Sequence, residues 1–217
     1  RFVQIGSTAV YGHGALIDNV NRLKADIVFI KNVDNVVPDR LKGDTYRWKK
    51  ALGGYMIMTE RKIGDFLERL TKAHPDEKTI NDAMAFVRDE LCVGLPEHVV
   101  NAGIDEKIQF LTDRLRRPLR VCGMVPSSGE PGGGPFWVRD EAGGTSIQIV
   151  ESAQIDTESK AQQKILQGLT HFNPVDIVAS LRDRSGAPYD LKRYVDDSAV
   201  FISHKSKNGR DLKALEH

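Results

Sequence analysis

The sequence predicts an α/β fold, a mixed and mainly parallel sheet with flanking helices, and three observations carry that prediction. The first 37 residues read strand, turn, helix, strand; residues 63–115 carry helical stripes; and from Leu119 the pattern returns to β. A strand–helix–strand opening is the mark of a βαβ unit, whose strands lie parallel. The chain has 217 residues, 40% of them apolar, enough for one substantial core. We therefore expect one domain over residues 1–217, with a lobe boundary near 118.

The elements follow in order. Arg1 to Tyr11 are rich in β-formers and end at Gly12-His13-Gly14. Leu16, Ile17, Val20 and Leu23 then share one helical face. Asp26 leads into Ile27-Val28-Phe29-Ile30, a continuous apolar run of the kind found in strands covered on both faces. Ile63, Phe66, Leu67 and Leu70 form a helical stripe that breaks and restarts at Pro75-Asp76-Glu77. Ile80, Ala83, Met84, Val87 and Leu91 continue to Gly94 and Pro96, which end the helix. Asp105 reads as the N-cap of a helix carrying Ile108, Leu111 and Leu115, closed by Arg116-Arg117-Pro118. Strands are expected over 119–125, 136–138 and 146–150, and further helices over 158–169 and 174–181.

Composition excludes several classes. Lys and Arg total 31 against 30 Asp and Glu, a net charge of +1, without the basic excess that a nucleic-acid binder uses. No apolar run approaches the roughly 20 residues that span a bilayer. The two cysteines, Cys92 and Cys122, form neither a disulfide framework nor a metal pair, which points to a reducing compartment, the cytoplasm. The chain opens on Arg1 within a strand-like pattern, without an initiator Met or a signal pattern, and reads as a piece of a longer protein.

Three constellations have the residue types for chemistry. Gly12, His13 and Gly14 open a helix: the glycines let a ligand approach the backbone, and His13 can bond to a base, ribose or phosphate. The same residues also read as an ordinary strand-to-helix turn. Asn32, Asp34 and Asn35 end the apolar strand, where ligands of α/β sheets gather. Asp34 suits Mg²⁺ there, and Asn32 or Asn35 can fix a hydroxyl or a water; alternatively, Asp34-Asn35 caps the loop. Glu130, Gly132, Gly133 and Gly134 lie in a loop flanked by Pro131 and Pro135 and followed by Phe136-Trp137. Glycines in such number suit a backbone cradle for a sugar or phosphate, or a hairpin connection with the aromatics in the core. The basic stretch Arg40, Lys42, Arg47, Lys49 and Lys50 is diluted by Asp39 and Asp44 and reads as a solvated helix face. The histidines lack zinc spacing, and Ser127-Ser128 lacks a nucleophile elbow.

Residues 10–37, with Gly12-His13-Gly14 opening a helix and an apolar strand ending in Asn32-Val33-Asp34-Asn35, resemble the uridine-nucleotide half of the UDP-sugar pyrophosphorylases. More extensively, the chain resembles an uncharacterised bacterial family catalogued as a domain of unknown function, through residues 12–16, 30–39 and 129–138. The first resemblance implies a nucleotide-diphospho-sugar transferase-like fold. It also implies a Mg²⁺-dependent nucleotidyltransferase that joins a sugar 1-phosphate to a nucleoside triphosphate, UTP in that family's manner, with release of pyrophosphate. By position, Asp34 is the catalytic and metal-holding residue, and Gly12, His13, Gly14 and Asn35 seat the nucleotide. From their own chemistry, outside that resemblance, Asn32, Glu130, Gly132, Gly133 and Gly134 are expected to meet the sugar. The glycine-rich basic phosphate loop of those enzymes has no counterpart in these 217 residues. The alternative is therefore a non-catalytic nucleotide or sugar-nucleotide binding module. In either case the expected partners are small molecules, not nucleic acid or membrane.

Overall fold

The computed structural model describes residues 3–6, 14–32, 36–72, 75–129, 132–140, 143–196, 199, 201–207 and 210–216. A four-stranded sheet lies at its centre, ordered β1 (Val3–Gly6), β3 (Arg120–Gly123), β8 (Asp176–Ser180) and β2 (Ile27–Lys31). Every neighbouring pair is antiparallel: Gly6 faces Arg120, Cys122 faces Ile177, and Ile27 faces Ser180. The mainly parallel sheet, and with it the transferase-like architecture, is thus overturned. Successive reversals leave β1 and β2 running in opposite directions, so α1 (Gly14–Asn21) does not carry the chain across the sheet into a parallel strand.

Two local signals explain the error. The apolar run of β2 is only partly covered on its two faces, and Phe29 is exposed. Ile27 packs against the main core, while Val28 packs against Ile17, Val20, Leu181 and Leu191. Cover on two faces says nothing about strand direction, and β2 is an edge strand here. The second signal is 174–181, expected as a helix and found as β8. Ile177 and Val178 are β-branched and buried between β3 and β2, where a pleated strand packs them better than a helix would.

One long helix, α2 (Lys42–Leu70), covers a face of the sheet. Its 29 residues span about 44 Å at the usual rise. Leu52, Met56 and Leu70 on its inner face join Ile80, Ala83 and Val87 of α3 (Glu77–Asp89), Leu111 and Leu115 of α5 (Ile104–Leu115), and Val121 and Val178 of the sheet. This core and the central sheet draw on residues from both sides of Pro118. The Asp76 carboxylate accepts from Thr79 N–H at 2.6 Å and caps α3. The cap of α5 is Gly103, two residues before the expected Asp105, which falls in the first turn, where its charge favours the helix dipole.

The remaining elements are small. The short helix α4 (Glu97–Val100) precedes α5, and β4 (Val125–Pro126) pairs with β7 (His171–Phe172). A hairpin joins β5 (Gly134–Arg139) to β6 (Thr145–Val150); α6 (Lys160–Gln167) follows, capped by Ser159. A second hairpin pairs β9 (Phe201–Lys207) with β10 (Arg210–Glu216). All strand pairs among the described residues are antiparallel. No helix among the described residues is long and apolar enough to cross a membrane.

Candidate functional site

The expected site residues fall in several places. Gly12, His13, Asp34, Asn35 and Glu130 lie outside the described residues. Gly14 begins α1, which packs through Ile17 and Val20 against Leu181 and Leu191, beyond the end of β8. Asn32 follows β2 at the opposite end of the sheet, next to Lys31, whose Nζ holds the Asp176 carboxylate at 2.9 Å. The glycine stretch reaches that same end. Asn173 N–H donates to Gly133 O at 2.9 Å, and Asn173 Nδ2 donates to Gly123 O, at the end of β3, at 2.7 Å. The structure thus brings Asn32 and Gly132–134 to one sheet end and sets α1 against the other.

Packing accounts for the glycines. A Cβ on Gly133 would lie 2.4 Å from Ile149 Cγ2, and one on Gly134 would lie 2.4 Å from Leu169 Cδ1. Gly132 has φ +153 and would meet the Phe172 ring at 3.1 Å. Gly133 and Gly134 are buried, so their backbone faces protein. The fit of Mg²⁺ can also be judged. Among the described residues no group of three or more His, Cys, Asp or Glu side chains is placed to hold a metal ion. Asp176, the carboxylate beside Asn32, is already taken by Lys31. Asp34, the residue expected to hold Mg²⁺, lies outside the described residues.

The prominent cavity lies where the chain leaves β8. It is a cleft of about 710 Å³ between α2, the turn at 115–119, and the segment 180–194. Ile57, Glu60, Arg61 and Gly64 face it from α2, at the spacing of one helical stripe. Arg116 and Arg117 enter where α5 ends and the chain turns into β3. Arg182, Arg184, Tyr189, Arg193 and Tyr194 come from the segment after β8.

That segment is held by local chemistry. Asp183 Oδ1 accepts from Ser185 N–H at 2.8 Å, Ser185 Oγ at 2.6 Å and Ala187 N–H at 3.0 Å, closing a tight loop in which Gly186 takes φ +82. These bonds hold the exposed Asp183 carboxyl below its ordinary range, the Ser185 hydroxyl foremost. The short 3-10 turn Leu191–Tyr194 is pinned by Leu191 N–H on Asn21 Oδ1 at 2.9 Å and by the buried Leu191 side chain.

Six arginines and four carboxylates line the cleft, a net positive field. Two arginines have carboxylate partners: Arg182 with Asp26 at 3.2 Å, and Arg184 with Glu68 at 3.7 Å. Among the described residues Arg61, Arg116, Arg117 and Arg193 form no ion pair. Arg117 stands out, with its guanidinium carbon 5.7 Å from the centre of the Tyr194 ring and its Nε buried without a hydrogen-bond partner. Burial, and then the neighbouring Arg114, lower its pKa and so disfavour its charge. An anion would supply both the missing acceptor and the missing countercharge.

The cleft also holds groups of another kind. Burial pushes the Glu60 carboxyl above the usual carboxylate range, opposed by a hydrogen bond with Ser180. Ser180 Oγ accepts from Leu119 N–H at 2.9 Å, and its one proton serves either Leu119 O at 3.2 Å or Glu60. Tyr189, edge-on to Tyr194 at 6.1 Å, is pushed up to about 12 by burial first and by neighbouring acidic groups, so it stands as a neutral phenol at pH 7. Sequence reasoning missed this cleft. Arg116 and Arg117 served there only as a helix stop, and the four basic residues Arg182, Arg184, Lys192 and Arg193 were masked by reading 174–181 as a helix.

Fold and site together define an antiparallel α and β protein with an arginine-lined cleft beside its central sheet. The chain belongs to the family described as Domain of unknown function (DUF4301), whose model matches residues 10–217. No curated protein and no solved structure matches it.

Proposed function

We propose that this protein binds a phosphorylated small molecule, of the nucleotide or sugar-nucleotide class, with the phosphate in the arginine-lined cleft. The observation that carries this reading is Arg117, a half-buried guanidinium with an unbonded Nε, no ion pair among the described residues, and one face on Tyr194. A buried donor left unmatched costs about 1–3 kcal/mol, and a phosphate oxygen removes that cost on binding. Arg61, Arg116 and Arg193 add charge without carboxylate partners among the described residues. The choice of a nucleotide class comes from the resemblance of residues 10–37 to uridine-nucleotide enzymes. A thermal-shift panel of UMP, UDP, UDP-glucose and neutral sugars tests it: the phosphorylated compounds raise Tm and the neutral sugars do not. Equal shifts, or none, refute it.

A nucleotidyltransferase that joins a sugar 1-phosphate to UTP is the second reading. One observation favours it: Asn32 and the glycine stretch 132–134 share a sheet end. Pyrophosphate release from UTP and a pool of sugar 1-phosphates, lost in Asp34→Asn, is its expected outcome. Release that survives the substitution removes Asp34 from the chemistry.

A further inference from the structure

Glu60 is oddly placed for a residue of an arginine-lined cleft. It is half-buried on α2, makes no ion pair among the described residues, and meets the Ser180 hydroxyl instead. Ser180 bonds to Leu119, two residues from Arg117, and Glu60 and Arg117 both line the cleft. An ionised carboxylate only accepts hydrogen bonds, and it repels phosphate. Beside it, the neutral Tyr189 phenol can donate and accept. A ligand that satisfies the cleft carries an anion at one end and hydroxyl donors at the other. A ligand ammonium would also suit a carboxylate, but the six arginines against four carboxylates disfavour a second cation.

We infer that the cleft takes its ligand by two ends, with Arg117 holding the phosphate and Glu60 accepting hydrogen bonds from the vicinal diol of an attached sugar. This rests on the phosphate-binding reading above and goes further by assigning the sugar end to Glu60. The diol belongs to a ribose or to a hexose, and the probes separate these sources.

Isothermal titration of the full chain and of Glu60→Gln, with inorganic phosphate, UMP, glucose 1-phosphate and phosphoethanolamine, tests the assignment. In the unaltered chain at least one of UMP and glucose 1-phosphate binds about tenfold or more tighter than phosphate, and Glu60→Gln removes most of that gain while phosphate affinity stays. A gain with UMP alone assigns ribose; a gain with glucose 1-phosphate alone assigns a hexose. If phosphate binds and neither sugar improves it, or the gain survives Glu60→Gln, the Glu60 assignment is wrong and the phosphate reading stands. Tightest binding by phosphoethanolamine also overturns it. If no probe binds, the phosphate reading fails, and this one with it. If Glu60→Gln folds poorly, Glu60→Asp, which keeps the carboxylate and shortens its reach, supplies the second variant: it is expected to lose part of the gain, and a full gain in it overturns the assignment.

Discussion

At the scale of the residue, the cleft is defined by side chains held away from their usual partners. Tyr189 gives the clearest pH signature. Its pKa is about 12 in the folded chain, raised by burial, against about 10 in an unfolded one. Below pH 10 both states are protonated and the contribution to stability is constant. As pH rises from 10 to 12 the unfolded chain loses the proton first, so stability falls over that window. Replacing Tyr189 with Phe should flatten this part of a denaturation-against-pH profile; an unchanged slope would mean that the phenol is not shielded. The candidate residues that the sequence offered were those with short-range spacing, such as Gly12, Gly14 and Asp34, and none of them lines the cleft as described. Arg117, Glu60 and Tyr189 were not legible, because they meet only through the tertiary fold, across more than 50 residues of sequence in each case.

At the scale of the element, α2 shows how a helix makes room for the site. A Cβ on Gly64 would stand 1.6 Å from Arg184 Nη1, so the guanidinium lies over the bare backbone of the helix. Gly64→Ala should raise helix stability by up to about 1 kcal/mol through backbone entropy while driving Arg184 off the helix. We expect an unchanged or raised Tm with weaker binding of phosphorylated ligands; a lower Tm with unchanged binding would contradict the placement of Arg184. Helical stripes were the most legible elements. Ile80, Ala83, Met84 and Val87 do bury along α3, and Leu111 and Leu115 along α5, with Ile108 partly buried beside them. The segment 174–181 was misread because Ile177-Val178-Ala179 is apolar at every position, and a run that short has no period from which to tell a buried strand from a helix.

At the scale of the molecule, strand direction set the limit of the sequence reading. Ile27-Val28-Phe29-Ile30 suggests a buried strand, and the helix between β1 and β2 suggests a crossover, yet β2 is a partly covered edge strand, and β3 and β8 separate it from β1 and reverse their sense. Such order depends on pairings between residues about 60 to 150 positions apart, such as Cys122 with Ile177 and Ile27 with Ser180, which local pattern does not encode. The same pairing makes the cleft: the turn before β3 and the segment after β8 become neighbours because Arg120 pairs with Ala179.

The central claim is that Arg117 and its cleft hold a phosphate, and isothermal titration of UDP-glucose into the unaltered chain and into Arg117→Met tests it most directly. Methionine keeps the apolar stem over Tyr194 and removes the charge and its donors. The account predicts binding to the unaltered chain, and a loss of about 1.5–3 kcal/mol, roughly 10–100-fold, in the variant with its fold intact. Equal affinity for both proteins, or no binding to either, would contradict it.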